Sequence, residues 1–381
     1  MSELRRRILI VGMADSVHLA RWLSQFSDQN IDFVVFPSSP HRRIHLILRN
    51  LILDTNSAMT VRILPTSMRW LAFPLSALDI PFNNWFRSRL LRGLLRKSSF
   101  DVIHVLELQH AGYLLLATKF ASELPKVFIT NWGSDIYWYE KFPKHKAKII
   151  QLLQIASFYS AECQRDIEIV RRLGYTGITM PVIPNSGGIK LDKIPANPSP
   201  PSQRKKIMIK GYTGFVGQAI IAIKACEAAA DHLRGFELVI YSASWKSRIR
   251  ALRLKHVHKI QVTILKKRTP HSEMLRYFSE ARIYIGISLS DGISTSLLEA
   301  MATGCYPIQT STSCANEWLS RDSGSVVPAD SVESVSSELM KALLSDSLVD
   351  NSAFKNTNVI REKANDQYIR SISQKFYSID T

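Results

Sequence analysis

The chain has 381 residues, of which 46% are hydrophobic, and it carries a formal net charge of +17. Its length exceeds what one hydrophobic core usually serves, so we expect two domains. The composition excludes a disordered chain, and the lack of any apolar stretch of about 18 residues excludes a membrane span. The four cysteines are scattered without a CxxC pair, which indicates reduced thiols rather than disulfides or zinc sites.

The start of the chain, MSELRRRILIVG, has the basic and apolar parts of a signal peptide but not its length. Asp15, His18 and Arg21 follow where a cleavage region should lie. We therefore expect a cytoplasmic protein.

The first half of the chain alternates between short β-branched runs and helical periods, such as residues 16–27 and 161–174. This alternation predicts a parallel sheet with helices on both faces. The predicted strands are 7–12, 32–37, 101–106, 126–130 and 179–184.

A basic and aromatic segment, residues 66–97, lies in this half. The first hundred residues contain 14 basic and 6 acidic residues, so nearly half of the excess charge is there. Arginines spaced among leucines predict an interfacial helix on an anionic membrane, here the cytoplasmic face of the inner membrane. The alternative is a surface helix whose leucines pack on its own domain. The residues concerned are Trp70, Phe73, Trp85, Phe86, Arg69, Arg87, Arg89, Arg92, Arg96 and Lys97.

Prolines and serines interrupt the pattern before a second series of strands and helices begins at residue 207. The prediction is an α/β protein with two Rossmann-like, doubly wound parallel-sheet domains facing across a cleft. Ligands bind such sheets outside the carboxyl ends of the strands. The predicted ranges are a first domain at 1–194, a linker at 195–206, a second domain at 207–358, and a helix crossing back to the first domain at 359–381.

The stretch 291-DGISTSLLEAMATGCYPI-308 has two interpretations. Ser296 and Glu299 fit the S-x-x-E capping box, with Gly304 at the C′ position. Alternatively, the helix start holds a phosphate through its N–H groups and dipole. Gly292 then permits close backbone approach, and Glu299 accepts hydrogen bonds from a ribose. Asp291 would contact the hydroxyls of whatever the phosphate carries, and Ser294, Thr295 and Ser296 would add donors.

The spacing D-x7-E, followed by LLEAMATG and Pro307, resembles the nucleotide-sugar site of the GT-B glycosyltransferases of family 4, where E-x7-E is usual. Other segments agree in order. 183-IPNSGGI-189 resembles the segment that closes the first domain, and 207-IMIKGY-212 resembles the first donor-domain strand. 101-DVIHVLELQHAGY-113 and 131-NWGSDI-136 resemble acceptor-side loops.

For the donor, the resemblance implies that Glu299 holds the ribose and Asp291 the hydroxyls of the sugar. The backbone from Ser294 to Leu297 would face the diphosphate. The family usually supplies an Arg and a Lys from the loop after the first donor strand. Here Lys210 and Gly211 begin that loop, but Tyr212 and Gln218 stand where further cations are expected. Lys266, with its neighbours Lys267 and Arg268, is therefore expected to supply the missing positive charge. The alternative is that these three residues form a solvated loop.

For the acceptor side, the family often has a His where this chain has Trp132, next to Gly133. Asp135 is the candidate contact to the transferring sugar or the acceptor, the alternative being a helix cap. Gly12, Ser16 and His18 are expected to flank the acceptor, although Ser16 also suits a cap.

The resemblance implies a retaining glycosyltransferase that takes a UDP- or GDP-sugar and needs no cofactor. Absence of a D-x-D triplet predicts metal independence. We expect a glycan or lipid-linked acceptor, in the biosynthesis of capsule, O-antigen or lipopolysaccharide. The alternatives are a sugar-nucleotide epimerase on the same fold, or a basic polyanion- or membrane-binding protein without catalysis. No nucleic-acid motif supports nucleic-acid binding, and the lack of G-x-G-x-x-G disfavours a nicotinamide enzyme.

Overall fold

The computed structural model describes residues 5–39, 43–64, 79, 84–120, 124–196 and 199–378. Contacts divide the chain into two compact units, one of residues 1–187 with 369–381 and one of residues 188–368. Each unit is built around a parallel sheet with helices on its faces, which confirms the predicted α/β class with two parallel-sheet domains.

The sheet of the first unit has seven strands in the order β3-β2-β1-β4-β5-β6-β7. β1 lies between β2 and β4, and Ile10 pairs with Val35 on one side and His104 on the other. β3 and β6 have four and three residues, too short for a periodicity in the sequence to reveal them. The strands are β1 (Arg6–Gly12), β2 (Ile31–Pro37), β3 (Thr60–Ile63), β4 (Val102–Leu106), β5 (Lys126–Thr130), β6 (Phe158–Ser160) and β7 (Ile178–Thr179).

The helices of the first unit cover both faces of this sheet. Because both faces are covered, the central strand β1 is apolar without alternation, and Ile8, Leu9, Ile10 and Val11 are fully buried. The helices that precede the boundary are α1 (Val17–Ser24), α2 (Leu46–Leu53), α3 (Trp85–Lys97), α4 (Tyr113–Ala117), α5 (Pro143–Ile155) and α6 (Gln164–Arg172).

The sheet of the second unit has six strands in the order β10-β9-β8-β11-β12-β13. The strand order reverses between β8 and β11, which lie side by side although three α-helices and two strands separate them along the chain. The strands are β8 (Lys206–Lys210), β9 (Glu237–Tyr241), β10 (Gln261–Ile264), β11 (Ala281–Gly286), β12 (Tyr306–Thr310) and β13 (Ser325–Val327).

The helices of the second unit are α7 (Ala219–Ala228), α8 (Trp245–Val257), α9 (His271–Ser279), α10 (Thr295–Ala302), α11 (Val332–Leu344) and α12 (Asp346–Lys363). The helix predicted at the end of the chain is two helices, since α12 ends at Lys363 and α13 (Asp366–Ser373) follows. The division between the units lies within α13, after Tyr368.

The proline-rich segment expected as a linker, 195–206, lies within the second unit, and its residues 197–198 are outside the described residues. Pro201 is buried, and the Arg204 guanidinium donates from Nη1 to the carbonyl oxygen of Thr303 at 2.8 Å. Because Arg204 Nη1 also donates to the Ala281 carbonyl oxygen at 3.3 Å, this segment is held against the start of β11 and the end of α10.

Candidate active site

The carboxyl ends of β8 and β11 carry an ion pair in the second unit. Lys210 is the last residue of β8, and Asp291 lies in the loop that follows β11. The Lys210 Nζ is 3.1 Å from Asp291 Oδ2, and about a quarter of each side chain is exposed. The pair therefore stands at the place where the strand order of this sheet reverses, the position at which open α/β sheets bind ligands.

The loop that carries Asp291 is held by its neighbours on both sides. The Asp291 N–H donates to the Thr312 carbonyl oxygen at 3.2 Å, and the Thr312 hydroxyl donates to the Ser288 carbonyl oxygen at 2.5 Å. The Gln218 N–H donates to the Ile287 carbonyl oxygen at 2.9 Å. Three loops after three adjacent strands are thereby tied together, and Asp291 has a defined position.

The helix α10 begins directly after this loop. Ser294 is its N-cap residue by backbone geometry, but its side chain makes no capping hydrogen bond. Gly304 follows the C-cap residue with φ of +79°, a conformation that suits glycine. The predicted C′ glycine is therefore in place.

Glu299 does not fold back on the helix start, so the capping-box interpretation is wrong. The Glu299 side chain is buried, and its Oε1 lies 2.6 Å from Nε2 of His271, the first residue of α9. A half-exposed imidazole thus holds a buried carboxylate at the edge of the site. The carboxylate is oriented by a neighbouring helix and not by its own.

The Lys210 ammonium keeps its charge in this position. Burial lowers the pKa of Lys210, but the Asp291 carboxylate and Tyr284 outweigh burial, and the net shift is upward. The site consequently presents a permanent cation beside the positive end of the α10 dipole, an arrangement that suits an anion.

In the first unit, Asp135 is buried in the turn after β5. Its Oδ2 accepts hydrogen bonds from the N–H groups of Trp132 at 2.8 Å and Leu108 at 3.1 Å. The side chain therefore joins the loop after β5 to the loop after β4 and does not cap the helix that follows it in the chain. Burial and the nearby Glu107 carboxylate raise the pKa of Asp135 well above its usual value.

Of the expected acceptor-side residues, Trp132 contacts both Asp135 and His18. The rings of His18 and Trp132 are 5.3 Å apart, and Gly133 has φ of +42°. The Ser16 hydroxyl accepts from the His18 N–H at 3.1 Å, so Ser16 is the N-cap of α1. A Cβ at Gly12 would lie 2.6 Å from Leu19 Cδ1, so this glycine lets α1 approach β1.

Two family profiles match the sequence. The one described as "Glycosyl transferase 4-like" matches residues 7–163, and the one described as "Glycosyl transferases group 1" matches residues 212–346. Together they span most of the chain and one of them falls in each parallel-sheet unit. The chain is a glycosyltransferase.

Solved structures agree on the fold of this glycosyltransferase, which is GT-B. The chain is similar to sucrose-phosphate synthase from Thermosynechococcus elongatus, with a TM-score of 0.69, 12% identity and 98% of each chain covered. It is similar to HepE from Anabaena in complex with UDP and glucose, with a TM-score of 0.67, 12% identity and coverage of 98% of this chain and 100% of that one. A glycosyltransferase from Rickettsia africae gives a TM-score of 0.67 and 14% identity, with 98% of each chain covered. No curated relative matches the sequence.

The donor-side residues of this glycosyltransferase differ in where their side chains point. Lys210 and Asp291 are brought together, whereas Lys266, Lys267 and Arg268 are exposed after β10. Gly292 and Leu297 are buried, so the Leu297 side chain belongs to the core and only its backbone is available to a ligand. Thr295 and Ser296 are half-buried in the first turn of α10.

Gly211 is essential to the packing beside this site. A Cβ at Gly211 would lie 2.8 Å from the Tyr241 carbonyl oxygen and 2.7 Å from Ile240 Cγ2. The Gly211 N–H also donates to the Tyr241 carbonyl oxygen at 2.8 Å. The absence of a side chain thus lets the loop after β8 lie against the end of β9.

Sequence reasoning missed His271, Glu107 and His110. Glu107 follows β4 with φ of +83°, and its carboxylate accepts from the N–H groups of His110 and Ala111 in a π-helical turn, Leu108–Gly112. The hydrogen bond to Glu107 raises the pKa of His110. Glu107 could have been found as the polar residue that ends a buried strand, but its contact with Asp135 could not.

Proposed function

We propose that this glycosyltransferase binds a nucleoside-diphosphate sugar in its second unit and transfers the sugar, with retention of configuration, to a glycan or lipid-linked acceptor. The observation that carries the proposal is the buried Glu299 carboxylate, held by His271 one turn into a helix that starts at the Lys210–Asp291 pair. The Glu299 carboxylate matches a ribose, the helix start with Lys210 matches a diphosphate, and Asp291 matches the hydroxyls of a sugar.

Each donor group has an assigned partner in this proposal. Glu299 accepts hydrogen bonds from the ribose hydroxyls. The diphosphate lies against the α10 N-terminus, with Lys210 as its cation, and Asp291 accepts from the hydroxyls of the sugar once Lys210 turns to the diphosphate. Lys266 gives secondary electrostatic support from solvent. Gly292 permits close approach of the backbone to the ligand, and Gly211 supports the site by letting the loop after β8 pack against β9.

The chemistry of the proposed transfer depends on the leaving group. The bond between the anomeric carbon and the diphosphate oxygen breaks, the acceptor hydroxyl oxygen forms the new bond on the same face of the sugar, and the hydroxyl proton passes to the departing diphosphate. Lys210 and the helix dipole stabilise the negative charge that develops on the diphosphate, the largest kind of term in such sites. This arrangement needs no divalent ion, in agreement with the lack of a D-x-D triplet. Asp135, with Trp132, His18, Gly12 and Gly133 near it, contacts the transferring sugar or the acceptor.

The donor assignment is tested by thermal shift with UDP- and GDP-sugars. UDP comes first because the similar HepE structure is a complex with UDP and glucose. A nucleotide sugar at about 100 times its Kd should stabilise the protein by ~2.7 kcal/mol. Glu299→Gln should remove most of that shift, because an amide replaces one acceptor of the ribose hydroxyls by a donor, whereas Glu333→Gln on the exposed face of α11 should retain it.

A full shift in Glu299→Gln would overturn the ribose assignment. Release of free sugar or an epimerised nucleotide sugar, without transfer to any added glycan or lipid-linked acceptor, would point instead to an epimerase or hydrolase.

The lipid-linked acceptor is supported by the charge of the protein and by the helix α3. None of the helices in the described part of the chain has the length and apolarity of a membrane span. Contact with an anionic membrane, on the cytoplasmic face, would therefore be peripheral and electrostatic. A role in surface polysaccharide biosynthesis follows from that acceptor.

A further inference from the structure

Buried polar groups without partners gather beneath the donor site of the second unit. Within the described residues, the hydroxyls of Tyr241 and Tyr284 and both amide atoms of Gln309 make no hydrogen bond. Tyr284 and Gln309 are fully buried, and Tyr241 is more than nine-tenths buried. A buried polar group without a partner costs about 1–3 kcal/mol, so several in one place call for a functional explanation.

The register of the sheet places these groups in one row with Lys210. Gly286 pairs with Gln309 across β11 and β12. On the other side of β11, Ile285 pairs with Ile209 of β8. The next residues along these two strands, Gly286 and Lys210, are therefore neighbours. Paired residues of parallel strands point to the same face, and Lys210, Gly286 and Gln309 therefore form a row at the carboxyl edge.

Gly286 leaves the space that the Tyr284 side chain uses. A Cβ at Gly286 would overlap both the Tyr284 hydroxyl and Gln309 Oε1. The Tyr284 ring thus runs along β11 over Gly286, toward the edge at which Lys210 and Asp291 pair. Burial raises the pKa of the Tyr284 hydroxyl, and the nearby Lys210 ammonium and the neighbouring Tyr241 and Ser294 hydroxyls oppose that rise, so all three side chains lie close to it.

We propose that Tyr284, supported by Gln309, is a positioning residue that directs the Lys210 ammonium from Asp291 to the donor diphosphate. The Tyr284 hydroxyl accepts a hydrogen bond from the Lys210 Nζ and donates to Gln309 Oε1. The proposal rests on the proposed function, since it needs a nucleoside diphosphate at the α10 N-terminus. It explains how a chain with Tyr212 and Gln218 in the loop after β8 holds a diphosphate with one cation.

The test measures by calorimetry how tightly the full chain binds UDP compared with UMP, and GDP compared with GMP. In Tyr284→Phe the preference for the diphosphate over the monophosphate should fall about tenfold, the equivalent of one charge-assisted hydrogen bond, while the monophosphate Kd stays within about twofold. A merely structural defect would weaken monophosphate binding as well, because it would disturb α10, which carries both the phosphate-binding N-terminus and Glu299. The matched control is Tyr306→Phe, whose hydroxyl bonds Ser325 on the opposite face of the sheet, and which should bind as wild type.

A double-mutant cycle decides whether Tyr284 acts through Lys210. Tyr284→Phe should have no further effect on the diphosphate preference in a Lys210→Met background. Additive effects, or an unchanged preference in Tyr284→Phe, would overturn the positioning role while leaving the donor site intact. Failure of the wild-type protein to bind either nucleoside diphosphate would overturn the proposed function and this inference together.

Discussion

Asp135 shows how the surroundings of one residue decide its charge. Its carboxyl group is buried beside Glu107, and both burial and that neighbour favour the protonated form. The two backbone N–H groups that it accepts from oppose this shift without cancelling it. The group therefore holds a proton in the folded protein at pH values where an exposed aspartate has lost it.

This proton has a consequence for stability. Above the ordinary pKa of an aspartate the folded state binds more protons than the unfolded state, so the contribution of Asp135 to stability falls as pH rises toward its folded pKa. Asp135→Asn cannot ionise. The free energy of unfolding of the variant minus that of the wild type, measured by urea titration, should therefore increase as pH rises above about 4. Asp192→Asn, at an exposed site, should show no such trend; a difference independent of pH for Asp135→Asn would contradict the buried proton.

The arginines of helix α3 fall into two groups: some are bonded within the first unit and the others are exposed on its surface. Residues 66–78 and 80–83 of the basic segment, including Arg69, Trp70 and Phe73, lie outside the described residues. In the helix itself Leu91 is fully buried, and Leu90, Leu94 and Leu95 pack against the core of the first unit. Arg87 is buried in an ion pair with Asp79 at 3.5 Å, and Arg92 donates to the Thr118 carbonyl oxygen at 2.6 Å.

The leucines described in this segment thus pack on their own domain. Among residues 84–97, the exposed side chains that could contact a membrane are Trp85, Arg89, Arg96 and Lys97. Arg89→Glu, Arg96→Glu and Lys97→Glu combined should lower binding to anionic vesicles at least about 100-fold, since each basic residue near the surface contributes about 1 kcal/mol. Vesicle flotation measures this.

The control has the same change of charge on the second unit, Lys224→Glu, Lys246→Glu and Lys255→Glu, all at exposed sites. It should bind nearly as well as the wild type. An equal loss in both variants would assign binding to net charge, and no loss in either would remove the membrane proposal.

At the scale of the whole molecule, the chain terminus is built into the core of the first unit. The Tyr377 hydroxyl accepts from Trp22 Nε1 at 3.0 Å and lies 2.5 Å from His104 Nδ1, while His104 Nε2 lies 2.7 Å from the Thr130 hydroxyl. Burial lowers the pKa of His104 to about 3. The imidazole is therefore neutral in the folded protein.

Acid should destabilise the first unit through this histidine. Between pH 6.5 and about 3 the unfolded state binds a proton that the folded state does not, so stability is lost as pH falls through that range. The loss amounts to about 3 kcal/mol between about pH 6.5 and about pH 4. Urea titrations should show this slope in the wild type and in the exposed control His256→Gln, but a flatter one in His104→Gln. Equal slopes in all three would contradict the prediction.

Much of the fold was determined by the sequence alone. Two series of β-branched runs separated by helical periods specify two parallel sheets, because buried strands and amphipathic helices have different periods. The D-x7-E spacing and the glycine at the end of α10 could also be recognised in the sequence, because they depend on residues close together in the chain.

The partners of the site residues were decided only by the tertiary structure. Glu299 bonds His271, 28 positions away, and Lys210 pairs with Asp291 across 81 positions. Asp135 closes on Leu108 across 27 positions. These contacts follow from the order of the strands in the sheets, which places distant loops side by side at one edge, and periodicity along the chain carries no information about that order.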